Sequence, residues 1–207
     1  ANGVNYESPK LGPVMITANY GMSNSAVEST GSNLTAYAIG VQANFSGVYV
    51  GAAYKSRDID IGTTTDQATA YRVSASYTMG PFKVGGLYQN VTDDTPAGTA
   101  ADIDLNVYGI GASFKIGSGT IKGQYYSAGE SMVNTDNGAT LMAIGYDHAL
   151  SKTTTVFVTY AQIDNDLTGA YSVQSSGHPN PLNDTLGFNP IADGTNSGLS
   201  VGIAMAF

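Results

Sequence analysis

The last ten residues, GLSVGIAMAF (198–207), alternate strictly between two kinds of side chain. Large apolar residues occupy the odd positions, and glycine, serine or alanine occupies the even ones. Successive side chains of a β-strand point to opposite faces, so this alternation predicts a strand with only one face in an apolar medium. That medium is either a protein core or the lipid of a membrane.

Composition narrows the choice between the two media. The 207 residues are enough for one large β domain or two small ones, and they include no cysteine, which excludes disulfides and thiolate metal sites. Charged residues are only 12% of the chain, about half the share in a soluble domain. The net charge of -8 argues against nucleic acid as a partner. No apolar run is long enough, at about 20 residues, for a transmembrane helix.

The alternating pattern recurs along the whole chain and predicts eleven strands. Most of the segments exceed the ~5–6 residues of globular strands and fit the ~9–11 tilted residues that cross a bilayer. We predict strands at about 2–10, 14–23, 33–45, 48–60, 67–79, 82–94, 102–116, 119–132, 139–151, 153–167 and 196–207.

The connections between these strands also alternate, in length. Tight turns such as SG (46–47) follow the odd-numbered strands, and longer polar segments such as 168–196 follow the even-numbered ones. Short turns on one side and long loops on the other are typical of an antiparallel transmembrane β-barrel. The 14 tyrosines fall mostly towards strand ends, where amphipathic rings suit the lipid headgroups, although tyrosine is also common in strands generally.

A soluble β-sandwich is the alternative fold, because it also alternates. Its outer face should carry many charges, whereas the less apolar face here is mainly glycine, alanine, serine, threonine, asparagine and glutamine. That composition favours the wall of a wide, wet lumen. Eleven is an odd number, however, and the first and last strands would both run inward. Bacterial single-chain barrels have even strand numbers, so we expect further residues before Ala1.

Two segments carry a resemblance to a known family. GVNYESPKLGPVMITANYG (3–21) resembles the stretch after the constriction loop of classical Gram-negative porins, and IGYDHALSKTTTVFVTYAQIDN (144–165) is similar to their penultimate hairpin. The terminal strand resembles the carboxy-terminal assembly signal of these porins, which implies that role for Phe207.

The resemblance implies a fold and a function. Residues 1–207 would be one transmembrane antiparallel β-barrel domain, the C-terminal two-thirds of a sixteen-stranded barrel without its constriction loop. The protein would be a homotrimer in the outer membrane of a Gram-negative bacterium, in contact with the bilayer and lipopolysaccharide. It would form a water-filled channel for passive diffusion of small hydrophilic solutes and ions. A non-transport barrel, such as an adhesin or structural protein, is the alternative.

Alternation selects the residues that would line the channel. The candidates are Lys55, Arg57, Arg72, Lys83, Lys122, Glu7 and Glu130. Charges of this kind set the ion selectivity of a pore. The alternative is that they lie on that face only because water does.

We expect no enzyme, no cofactor and no metal. The two histidines, His148 and His178, show no informative spacing to a serine and an acid. Asp184 and Asp193 share a long loop, where calcium is conceivable, but no ligand-loop pattern surrounds them. A solvated loop is the default interpretation.

Overall fold

The computed structural model describes residues 2–24, 32–61, 64–94, 103–131, 136–173 and 192–206. Eleven strands follow one another in a single sheet whose spatial order is the sequence order. They are β1 (Asn2–Glu7), β2 (Val14–Asn24), β3 (Ser32–Phe45), β4 (Val48–Ile61), β5 (Thr64–Met79), β6 (Phe82–Asp94), β7 (Ile103–Ile116), β8 (Gly119–Ala128), β9 (Ala139–Ala149), β10 (Thr154–Asn165) and β11 (Thr195–Met205). The predicted all-β antiparallel fold is confirmed, and β1 and β11 are the two ends of the strand order.

Predicted and observed strands agree closely in number and place. The largest differences are the early ends of β1 at Glu7 and β8 at Ala128, rather than near residues 10 and 132, and the early start of β5 at Thr64 rather than near residue 67. At the end of β1, the Ser8 hydroxyl accepts a hydrogen bond from the Ile16 backbone at 2.9 Å, and Pro9 follows. Proline has no backbone N–H, so the ladder cannot continue through it. Within the described ranges, no helix is long and apolar enough to cross a membrane.

The tight turns depend on residues with positive φ. Ser46 and Gly47 have φ of 42° and 91° between β3 and β4. Positive φ at both central residues is the requirement of the type I′ turn, whose twist matches that of a hairpin. Gly80 and Gly117 occupy the corresponding left-handed positions at two other tight turns. The glycines that predicted these turns therefore hold conformations that other residues rarely adopt.

The large apolar side chains are exposed on one face of the sheet rather than packed in a core. Among the described residues, the buried hydrophobic ones are Ala43, Ala139, Ala143 and Ile163, of which three are alanines. On β11, by contrast, Leu199 and Val201 are 70% and 73% exposed. A sandwich would bury such residues between two sheets, so the soluble alternative is wrong. We call this exposed side the apolar face and the opposite side the polar face.

A row of tyrosines crosses the apolar face of β2–β6. Tyr20 is opposite Tyr37, and Tyr54 is opposite Tyr71. The rings of Tyr37 and Tyr54 are 6.0 Å apart, and the rings of Tyr71 and Tyr88 are 5.7 Å apart. On β3, the nine residues from Tyr37 to Phe45 span about 26 Å along the strand. At the ~35–45° tilt of barrel strands, this length covers roughly 20 Å of the ~25 Å apolar band of outer-membrane barrels.

The chain forms two compact units. The first comprises Ala1–Tyr77, Gly86–Val107 and Ser131–Val133. The second comprises Thr78–Gly85, Tyr108–Glu130 and Asn134–Phe207. Each contains polar-face side chains that are described separately below.

Candidate functional site

The polar face of the first unit carries three cationic side chains on two strands. In the register of β4 and β5, Lys55 is opposite Ala70 and Arg72 is opposite Ala53. Residues directly opposite each other share a face, so Lys55, Arg57 and Arg72 all lie on the polar side. Tyr54, Tyr71 and Val73 alternate with them on the apolar side and are exposed.

Arg57 is held in an acidic environment. Its Nη2 atom is 3.4 Å from the Oδ2 atom of Asp93 on β6, and both side chains are partly exposed. The Asp66 carboxyl is a second close neighbour of Asp93. The positive charge of Arg57 is therefore offset by the Asp93 carboxylate.

Arg72 has a neutral partner instead. Its Nε and Nη2 atoms both donate to the Oε1 atom of Gln89, and the Nε–Oε1 distance is 2.7 Å. Within the described part of the chain, Arg72 forms no ion pair. Since an amide orients a guanidinium without cancelling its charge, Arg72 keeps a full positive charge on the polar face.

The second unit repeats this contrast between paired and unpaired cations. Lys122 on β8 donates to Asp147 on β9, with 2.6 Å between Nζ and Oδ2. Lys83 is exposed on β6, and alternation from Phe82 on the apolar face assigns it to the polar face. The same argument from Phe114 assigns Lys115 to the polar face, since the Phe82 and Phe114 rings contact each other at 4.4 Å. Neither lysine forms an ion pair with any described residue.

The two acidic candidates have different positions. Glu7 is exposed on β1 opposite Thr17, whose side chain lies over Gly40 on the polar face. Glu130 lies two residues after the end of β8, where alternation no longer assigns a face. Lys55 is exposed, like Glu7, and makes no ion pair among the described residues.

The structure describes only some of the other residues that the sequence analysis considered. Phe207, His178 and Asp184 lie outside the described residues. Asp193 is exposed with φ of 52°, and the His148 Nδ1 atom is 3.0 Å from the Tyr146 hydroxyl. The described residues contain no group of three or more side chains that could hold a metal ion.

A short segment after β10 lies against the polar face of the second unit. Both polar atoms of the Asn165 amide bind the backbone of Tyr171, and the Val173 side chain approaches Gly198. Burial raises the pKa of the Tyr171 hydroxyl above its ordinary value.

Sequence reasoning missed the partners of the cations. Asp93, Gln89 and Asp147 were not candidates, although Asp147 alternates with Gly145 in a regular strand and could have been found. Lys115 was missed because β7 alternates irregularly. Asn165 gave no signal, since its function depends on the path of a loop.

Comparison with known proteins places the whole chain among porins. The family described as Gram-negative porin matches residues 1–168. Outer membrane porin protein 32 of Delftia acidovorans is 26% identical over 211 residues, which cover 100% of this chain and 56% of that protein. Among solved structures, an anion-selective porin from Comamonas acidovorans matches with a TM-score of 0.78 and 23% identity, over 100% of this chain and 59% of that one.

A second structural match is more distant. The outer-membrane expressed OmpT of Vibrio cholerae has a TM-score of 0.71 and 18% identity, over 99% of this chain and 64% of that one. The chain thus spans a little over half the length of the Delftia acidovorans protein and of the Comamonas acidovorans porin.

Proposed function

We propose that this chain, which belongs to the Gram-negative porin family and hence to the Gram-negative outer membrane, forms the wall of a water-filled channel. Small hydrophilic solutes and ions would cross this channel by passive diffusion. The family consists of channels rather than enzymes.

The separation of the two faces is the observation that supports a channel. Large apolar side chains are exposed on one face, and the six lysine and arginine side chains of the strands alternate with them on the other. A filled structural or adhesive barrel would need bulky side chains inside, whereas Gly40, Gly51, Ser74 and Ala53 lie on the polar face. Small residues leave room for water.

The charges on the polar face support a preference for anions. Arg57 and Lys122 are offset by carboxylates, whereas Arg72, Lys83 and Lys115 form no ion pair among the described residues. Unpaired charge on a pore wall attracts counter-ions, and nearby salt screens only part of that attraction. We therefore infer that Arg72, oriented by Gln89, contributes more to selectivity than Arg57.

Reversal potentials in a salt gradient test both statements. The protein should first conduct in planar bilayers, since a non-transport barrel would carry no current. Arg72→Gln should shift the selectivity towards cations. Arg57→Gln is the matched control and should shift it less, because Asp93 already offsets that charge. Equal shifts at low salt would contradict the assignment, and replacing both arginines should give the largest shift.

We also propose the environment and assembly of the protein. The exposed apolar face would contact lipid, with lipopolysaccharide around the outer tyrosine row. A homotrimer and a single barrel domain over residues 1–207 are what the family resemblance implies. Cross-linking in membranes, followed by mass determination of the products, tests the trimer.

A further inference from the structure

We propose that residues 166–173 form a fixed ledge on the polar face of β10 and β11, clamped by Asn165, that narrows the channel. This proposal rests on the proposed channel function. The segment would set the size limit for solutes at the long-loop side of the wall, whereas the charged residues govern ion preference.

The side chain of Asn165 provides the clamp. Its Nδ2 atom donates to the Tyr171 carbonyl oxygen at 2.9 Å, and its Oδ1 atom accepts from the Tyr171 N–H at 2.8 Å. Asn165 is the last residue of β10 and is buried. It lies on the polar face, because it is an even number of residues from Phe157 on the same strand, and Phe157 is opposite Asp147 on the polar face. The reciprocal pair fixes both the position and the direction of the backbone at Tyr171.

A second anchor holds the beginning of the segment. The Asp166 N–H donates to the Gly138 carbonyl at 3.0 Å, and the Thr168 N–H donates to the Asp136 carbonyl at 2.8 Å. Gly169 is buried, and a Cβ atom there would lie 2.6 Å from the Gly138 carbonyl oxygen. Real Cβ atoms do not approach so closely, so the two backbones touch here only because residue 169 is glycine.

The end of the segment reaches well down the wall. A Cβ atom at Gly198 would be 3.3 Å from the Cγ2 atom of Val173. Gly198 is opposite Ala161, four residues before the end of β10. Four residues of strand correspond to about 13 Å. The chain therefore leaves β10, turns onto the polar face and descends along it, with Tyr171 and Val173 both partly covered.

A segment anchored in three places stays against the wall in the unaltered protein. It occupies space that water and solute would otherwise fill, so it sets a size limit rather than a charge preference. Losing the two clamp hydrogen bonds should shift the balance between the inward and released positions by about 30-fold.

Asn165→Ala tests the clamp in the native protein reconstituted in bilayers and liposomes. We expect higher conductance and faster entry of larger sugars in liposome-swelling assays, with an unchanged reversal potential. Asn44→Ala, at a polar-face asparagine near a short turn, is the matched control and should change neither quantity.

A disulfide provides a rescue. The chain has no cysteine, and the Val173–Gly198 approach is within reach of a disulfide. In the Val173→Cys, Gly198→Cys protein, the conductance should be the same whether the two cysteines are reduced or oxidised to the disulfide. In the same protein with Asn165→Ala, oxidation should restore the lower conductance and the smaller size limit.

Different failures have different meanings. If the unaltered protein conducts and Asn165→Ala matches it in conductance and sugar entry, the ledge is refuted and the channel stands. If oxidation lowers the conductance of the double-cysteine protein, the segment is not against the wall in the open channel, and the proposal is again overturned. An unaltered protein that carries no current refutes the channel and the ledge together.

Discussion

Arginine substitutions on neighbouring residues of β3 should separate the two faces energetically. Val41 lies on the apolar face and is 45% exposed, four residues from Tyr37 on one side and from Phe45 on the other. Each interval is about 13 Å along the strand, which puts Val41 near the middle of the apolar band. An arginine at the midplane of a lipid-facing wall costs ~2–4 kcal/mol. Val41→Arg should therefore reduce the folding equilibrium constant by roughly 30- to 900-fold.

The adjacent residue and the band edge supply the controls. Gln42 is on the polar face, so Gln42→Arg should leave stability within the ~0.5 kcal/mol of an ordinary surface change. Phe45→Arg, near the tight turn, should cost more than Gln42→Arg but less than Val41→Arg, since the arginine penalty falls towards the interface.

Urea titration of the protein folded into phospholipid vesicles measures these differences. Circular dichroism and the electrophoretic shift between folded and unfolded forms report the folded fraction. The reasoning would be refuted if Gln42→Arg were as costly as Val41→Arg, because the faces would then not differ in environment. A larger cost at Phe45 than at Val41 would displace the apolar band from its inferred position.

Three further predictions concern individual contacts. The raised pKa of Tyr171 favours the neutral hydroxyl in the folded state. The segment 166–173 should therefore stay in place below pH ~10 and loosen as the pH rises through that raised pKa. Conductance should increase at alkaline pH in the native protein but not in Tyr171→Phe. Asp147→Asn should release the charge of Lys122 and shift reversal potentials towards anions, most strongly at low salt. Gly202→Ala would place a Cβ atom 2.5 Å from the Phe157 ring and should cost about 1–3 kcal/mol in the same urea titration, whereas an unchanged midpoint would show that the ring moves freely.

Alternation predicted the sheet well because the two sides of each strand meet different media. On β3, the alternating large apolar residues Tyr37, Ile39, Val41 and Phe45 are all exposed, whereas Ala43 in the same series is buried. The strand ends were less predictable where a side chain intervenes, as Ser8 does when it binds the backbone of Ile16. A hydroxyl that ends a ladder has no periodic signature.

The site was predictable in its residues but not in its pairings. Alternation within β4 and within β5 puts Lys55, Arg57 and Arg72 on the less apolar face of each strand. Which charge is cancelled depends on the next strand, where Asp93 and Gln89 are four residues apart along β6. The contact of Asn165 was harder to predict, because its partner is the backbone of a residue six positions later, in a segment without a repeating pattern.

The strand order has a consequence for redesigning this protein. Each strand pairs only with its neighbours in sequence, so an internal hairpin can be excised or duplicated without leaving another strand in the interior unpartnered. Changing the number of strands by two preserves antiparallel pairing and returns the chain to the same side of the membrane. Each such unit alters the width of the sheet by about 10 Å, twice the spacing between adjacent strands. The meander is in this sense modular, and its width can be varied in discrete steps.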